Sequence, residues 1–240
     1  MSVSSITSKQ SRSMKLLALD TATEACSAAI YIDGEITQNY QLAPKEHTRL
    51  ILAMIEGLLV DAGISIKQLD ALAFGRGPGS FTGVRISTGV VQGMAYGADL
   101  PVVPVSTLAS IAQSVHDDHQ AEFVLTAIDA RMDAVYWGEY QLESGLMRLR
   151  GEEQVVAPEQ VPVPTQQAWV GAGSGWAAYA ESLKRRIEQP MPSVFDAYYP
   201  QSASIARLAA HDYANGNYVT AAQAVPVYLR NKVAKKTSER

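Results

Sequence analysis

The sequence predicts an α/β fold built from two similar halves. Short apolar runs alternate along the chain with segments whose apolar residues recur at helical spacing. Residues 124–140, VLTAIDARMDAVYWGEY, echo residues 16–31, LLALDTATEACSAAIY. In each, an apolar strand ends at an aspartate, Asp129 or Asp20, a polar turn follows, and a second strand begins. With 240 residues, 47 % of them apolar, the chain has material for one large core or two small ones.

Residues 15–20, KLLALD, read as a buried strand. The alternating run that holds Cys26, Ala28, Ile30 and Ile32 ends at Asp33-Gly34, a hairpin signal. Residues 45–62 carry Leu50, Ile51, Met54, Ile55, Leu58 and Leu59 at helical spacing, and Gly63 stops them. LDALAFG is a strand, the glycine-rich stretch FGRGPGSFTGVR (74–85) follows, and a helix runs over 80–97. PVVPVS is a short strand, with Ser106 as N-cap of the next helix. HDDH (116–119) reads as a solvated linker between halves spanning 14–115 and 116–240. In the second half a loop surrounds Pro158, Pro162 and Pro164. WVGAGSGW (169–176) is strand, glycine turn and helix. Helices over 176–188 and 202–215 and an extended piece at 226–230 complete the chain.

Composition excludes several classes. A net charge of −4 argues against a protein that grips nucleic acid by itself. Only the tail, LRNKVAKKTSER, is basic, a frayed terminus or an arm that touches RNA inside a complex. A single cysteine, Cys26, cannot form an internal disulfide, which fits a reducing cytoplasm. No apolar run is long enough to span a bilayer. Residues 1–13 are polar and serine-rich, without the apolar stretch of a signal peptide, and are expected to be a disordered extension or an artefactual leader.

The stretch FGRGPGSFTGVR is either a phosphate cradle or a tight corner that launches a helix. The lysine and spacing of a P-loop are absent. The backbone N–H groups that open the next helix keep an anion role open. Further along that helix Gly89, Gly93 and Gly97 lie four apart on one face. Glycine costs about 1 kcal/mol in a helix interior relative to alanine. Three on one stripe therefore imply close approach, by the protein's own sheet or by another chain.

The aspartates suggest a second chemistry. A strand ending in Asp-x-Gly-Thr forms the phosphate and magnesium corner of actin-like ATPases and sugar kinases. Asp20, Thr21 and Thr23 stand in that pattern, but Ala22 takes the glycine place, and Arg131 takes it after Asp129. Both corners read as vestigial. Spacing offers no histidine metal motif and no serine-hydrolase elbow, and Cys26 sits among core positions.

Taken together, DTATEACSAAIY, KEHTRLIL, ALAFGRGPGSFTGVRISTGVVQGMA, VSTL, AIDARMDAVYW and PVYLRN resemble the TsaB (YeaZ) family, over residues 14 to about 231. The resemblance implies an actin-like (ASKHA) fold of two ribonuclease-H-like subdomains, with mixed sheets flanked by helices. It implies a role in placing threonylcarbamoyl on N6 of the adenosine 3′ of the anticodon in ANN-decoding tRNAs. In that family the transfer belongs to a catalytic paralogue, TsaD, which carries a metal-binding H-x-x-x-H, and a P-loop ATPase, TsaE, joins them. This chain has neither motif. The resemblance thus implies a non-catalytic, cytoplasmic subunit, homodimeric when alone, which meets tRNA through the complex. ATP and a divalent metal belong to that complex. The expected partner surface is Leu50, Met54, Leu58, Arg85, Gly89, Gly93 and Gly97, from the two helices of the first half. The competing expectation is an autonomous actin-like ATPase or phosphotransferase, kept open by the intact Asp20 and Asp129. A peptidase role is remote.

Overall fold

The computed structural model describes residues 13–165 and 167–230. The first twelve residues of the leader and the basic tail beyond Arg230 lie outside the described residues. In the first half, β1 (Lys15–Asp20), β2 (Ala25–Ile32) and β3 (Glu35–Leu42) form an antiparallel meander. The β2–β3 turn is the expected Asp33-Gly34, with φ of 50° and 101° at its two residues, as a tight hairpin requires. β4 (Ala71–Gly75) and β5 (Val102–Val105) then add in parallel, giving the order β3-β2-β1-β4-β5.

The second half repeats this plan. β6 (Phe123–Asp129), β7 (Val135–Glu143) and β8 (Leu146–Val156) form the meander. β9 (Val170–Ala172) and β10 (Val194–Phe195) are parallel additions, in the order β10-β9-β6-β7-β8. With strands numbered within each half, the two orders are the same. The duplication expected from the echo of residues 16–31 in 124–140 is therefore present in the topology, as two ribonuclease-H-like sheets.

The helices are α1 (His47–Asp61), α2 (Phe81–Ala98), α3 (Thr107–His119), α4 (Ser174–Ala178), α5 (Ala180–Ile187) and α6 (Ser202–Ala214). Ser80 and Ser106 cap α2 and α3 through their hydroxyls, accepting from Gly83 and from Leu108 and Ala109. Ile51, Ile55 and Leu58 of α1 and Val91 and Ala95 of α2 bury against Leu17, Leu19, Leu72 and Phe74 on one face of the first sheet.

Two helices join the halves. α3 follows the first sheet in sequence, yet Leu108, Ile111, Ala112 and Val115 pack on the second, against Val124, Ile128 and Tyr140. α6 follows the second sheet, yet Ile205, Ala206, Leu208 and Ala209 pack on the first, against Leu16, Ala18, Ala73 and Val103. The two helices meet through small hydroxyls, Ser114 against Ser204 at 2.9 Å. The division at 115/116 thus falls inside α3, and packing assigns α6 to the first half.

Two local expectations are corrected. HDDH is not a linker but the end of α3, closed by Gln120 in the left-handed region. The helix expected over 176–188 is two short helices, broken at Tyr179. Residues 226–230, expected as an extended piece, cross from one half to the other, with the Val227 N–H donating to the Arg76 carbonyl at 2.8 Å.

Candidate functional site

The first aspartate corner is sealed by the protein itself. Asp20 ends β1 with 1 % exposure. Its Oδ1 accepts from the Ala22 N–H at 2.9 Å, and its Oδ2 has no hydrogen-bond partner. Burial pushes the carboxyl up to about 7, against which the Ala22 hydrogen bond pulls down. The glycine-rich loop lies directly over this corner. Ser80 donates its N–H to the Ala22 carbonyl at 2.7 Å, and the Thr21 hydroxyl donates to the Gly83 carbonyl at 2.6 Å.

Three of the loop's four glycines are required by close approach. A Cβ at Gly79 would overlap the Ala22 carbonyl oxygen, and one at Gly83 the Thr21 carbonyl oxygen. One at Gly75 would overlap Asp20 Oδ2. The loop is a close-packed corner that launches α2. The backbone of Gly79 and Gly83 therefore packs directly on the carbonyls of Ala22 and Thr21 in the DTAT turn. Among the described residues, no group of three or more His, Cys, Asp and Glu could hold a metal ion.

The second corner is closed differently. Asp129 Oδ1 accepts from the Arg131 N–H at 2.8 Å, repeating the Asp20–Ala22 turn. The Arg131 guanidinium meets Asp129 Oδ2, also at 2.8 Å. A cation therefore comes from the chain itself. Arg131, Met132 and Asp133 are all left-handed, with φ of 60°, 55° and 54°. The Arg230 guanidinium donates to the carbonyls of Ala130 and Arg131 at 3.3 and 3.1 Å.

Between the corners a contact forms that no spacing announced. Glu153 of β8 accepts from the hydroxyls of Ser106 and Tyr140, the latter at 2.6 Å, and its other oxygen lies 3.9 Å from the Arg76 guanidinium. Burial and the Glu153 carboxylate together push the Tyr140 hydroxyl well above its ordinary value. Arg76 comes from the first half and Glu153 from the second, so the pair links the two halves. The sequence reading placed no element over 146–156, and nothing in it singled out Glu153.

The expected partner surface divides. Leu58 is 2 % exposed and belongs to the core beneath α1, so it offers nothing to a partner. Leu50 and Met54 are half-buried against the same core, and the outward face of α1 instead carries Leu52 and Val60. On α2 the buried residues are Gly83, Val84, Ser87, Thr88, Val91 and Ala95. Arg85, Gly89, Gly93 and Gly97 point away from them, and a Cβ at any of the three glycines would meet nothing within 4 Å. The stripe does not pack on the protein's own sheet. At its far end a groove of about 430 Å³ opens between Tyr96, Leu100 and Tyr218. Among the described residues, no helix is long and apolar enough to cross a membrane.

The chain as a whole is similar to known proteins. Residues 34–237 match the family described as TsaD: tRNA N6-adenosine threonylcarbamoyltransferase. The chain is 44 % identical over 225 residues to the tRNA threonylcarbamoyladenosine biosynthesis protein TsaB of Escherichia coli (strain K12), covering 92 % of this chain and 96 % of that one. It is 41 % identical over 236 residues to the protein of the same name from Haemophilus influenzae, with the same coverage. A solved structure, YeaZ from Pseudomonas aeruginosa, matches with a TM-score of 0.85 at 47 % identity, covering 90 % of this chain and all of that one.

Proposed function

Because the chain belongs to the TsaB family of tRNA threonylcarbamoyladenosine biosynthesis proteins, we propose that it is a non-catalytic scaffolding and activating subunit of the machinery that makes this modification. In this reading the transfer of threonylcarbamoyl to N6 of the adenosine 3′ of the anticodon is performed by TsaD. The present chain supplies a docking surface on α1 and α2. TsaE and ATP with a divalent metal act on the assembled complex, and tRNA meets this chain only within it. The setting is the cytoplasm, and the free chain pairs with a second copy.

One observation carries the proposal: both aspartates are engaged from within, Asp20 buried beneath the backbone of residues 79–83 and Asp129 paired with the Arg131 guanidinium. An actin-like ATPase needs those corners for phosphate and magnesium. Corners occupied in this way support the reading in which the fold serves as a platform rather than as an ATPase.

The test is reconstitution. The purified chain alone should turn over no ATP, and adding it to the transferase and the P-loop ATPase should switch on modification of an ANN-decoding tRNA. ATP hydrolysis by the chain alone, abolished by Asp20→Ala, would establish the autonomous phosphotransferase instead.

A further inference from the structure

Arg85 is held as a free surface cation would not be. Its guanidinium carbon lies 3.2 Å from the Phe81 ring centroid and 5.1 Å from that of Tyr228. One of its terminal nitrogens donates to the Phe81 carbonyl at 3.2 Å. The two rings are 58 % and 44 % exposed, large apolar surfaces left facing water around a charge. Among the described residues, no carboxylate forms an ion pair with Arg85. A guanidinium has a planar fork of five N–H donors, so several remain directed outward.

Tyr228 is brought there by the crossing segment. Val227 is bonded to Arg76, Tyr228 lies over Arg85, and Arg230 is bonded to the turn at 130–131. Residues far apart in the sequence thus build one feature on α2. Arg85 also stands at the head of the open face that continues through Gly89, Gly93 and Gly97.

We propose that Arg85, clamped between Phe81 and Tyr228, is an anchor that receives a single carboxylate side chain of the protein partner docked along the open face of α2. The inference rests on the subunit reading and adds the chemistry of the contact. Arginine and aromatic residues dominate the binding energy of protein interfaces when they are pre-positioned. A stacked guanidinium loses little freedom on pairing and meets a carboxylate through two parallel hydrogen bonds. An RNA partner fits less well. Phosphate recognition needs a field of lysines and arginines, and this chain carries 24 acids against 20 bases.

The experiment measures binding of the full chain to a purified tRNA N6-adenosine threonylcarbamoyltransferase by interferometry, with circular dichroism as the folding control. Arg85→Leu should keep the apolar packing and lose about tenfold or more in affinity. Arg85→Lys should lose almost as much, because lysine keeps the charge but not the fork, and Arg85→Glu should lose most. Tyr228→Ala should weaken binding less. Wild-type binding that survives Arg85→Glu unchanged overturns the anchor and leaves the subunit reading standing. Absence of any wild-type binding removes both. A second arm uses a fluorescent anticodon stem-loop RNA. Salt-sensitive binding of that RNA by the chain alone, lost in Arg85→Leu, would reassign the anchor to phosphate and overturn the proposal.

Discussion

The Thr21 hydroxyl donates to the Gly83 carbonyl across 62 residues of sequence, in a hydrogen bond of 2.6 Å that is wholly buried. This bond pins the first turn of α2 onto the turn after β1. It makes the turn after β1 a packed corner. Gly83 lies so close to Thr21 that only a hydrogen fits in place of a side chain.

Gly83→Ala should therefore destabilise the protein by about 1–3 kcal/mol, the usual cost of forcing a group into a packed interior. Alanine is otherwise the better helix residue, so the sign of the change discriminates. A chemical denaturation midpoint equal to or above wild type would show that the corner is loose.

Gly93→Leu should do the opposite to the monomer. The position faces open space, and replacing a helical glycine removes its backbone penalty of about 1 kcal/mol. The melting temperature of the monomer should hold or rise. Pairing with a second copy and with the transferase should be lost, because the new side chain fills the face that a partner helix approaches. Size-exclusion chromatography with light scattering reads the first, a pull-down the second. Unimpaired pairing in both assays would place the interface elsewhere.

Ala22→Gly restores the glycine of the Asp-x-Gly-Thr pattern, yet it should not restore nucleotide binding. The obstruction is the backbone of residues 79–83, not the Ala22 methyl group. Isothermal titration with ATP and magnesium should give no heat of binding for either protein. Micromolar binding by the variant would mean that one methyl group was the barrier.

Asp20 makes stability depend on pH. Its folded value of about 7 lies above the unfolded 3.8, so between those limits the folded state keeps a proton that the unfolded state has lost. This group's stabilisation is complete below the unfolded value and is lost as pH rises through about 7. Asp20→Asn removes the titration and keeps an acceptor for the Ala22 N–H. The melting temperature of Asp20→Asn relative to wild type should climb from pH 4 to pH 8. A difference that stays flat across that range contradicts the buried, protonated carboxyl.

Arg230→Ala should loosen the turn at the second corner. The guanidinium of Arg230 holds two carbonyls beside three consecutive left-handed residues, a conformation that costs free energy at each position. Amide hydrogen exchange should quicken over residues 130–134 and stay unchanged in β1 and β4. Unaltered exchange at the turn would show that the crossing segment does not restrain it.

How much was legible in the sequence differs by kind of interaction. Strands, helices and the duplication are written in local patterns: the period of apolar residues, the Asp33-Gly34 turn, the Ser80 and Ser106 caps, and the recurrence of an aspartate at the end of an apolar strand. The altered corners were legible too, because Ala22 and Arg131 stand where the pattern wants glycine. The sequence alone also placed Gly89, Gly93 and Gly97 on one face, since helix geometry fixes that. It could not say which way the face turned. Three-dimensional packing decided that α2 buries Val84, Val91 and Ala95 and leaves the glycines open. The same packing took Leu58 into the core, because the apolar face of α1 is wider than the strip its sheet covers and periodicity does not mark the centre. The exchange of α3 and α6 between the halves, the Glu153 bridge, and the clamp of Phe81 and Tyr228 on Arg85 all join residues distant in the chain. Such contacts depend on how the two sheets are set against each other, and only the tertiary structure determines that.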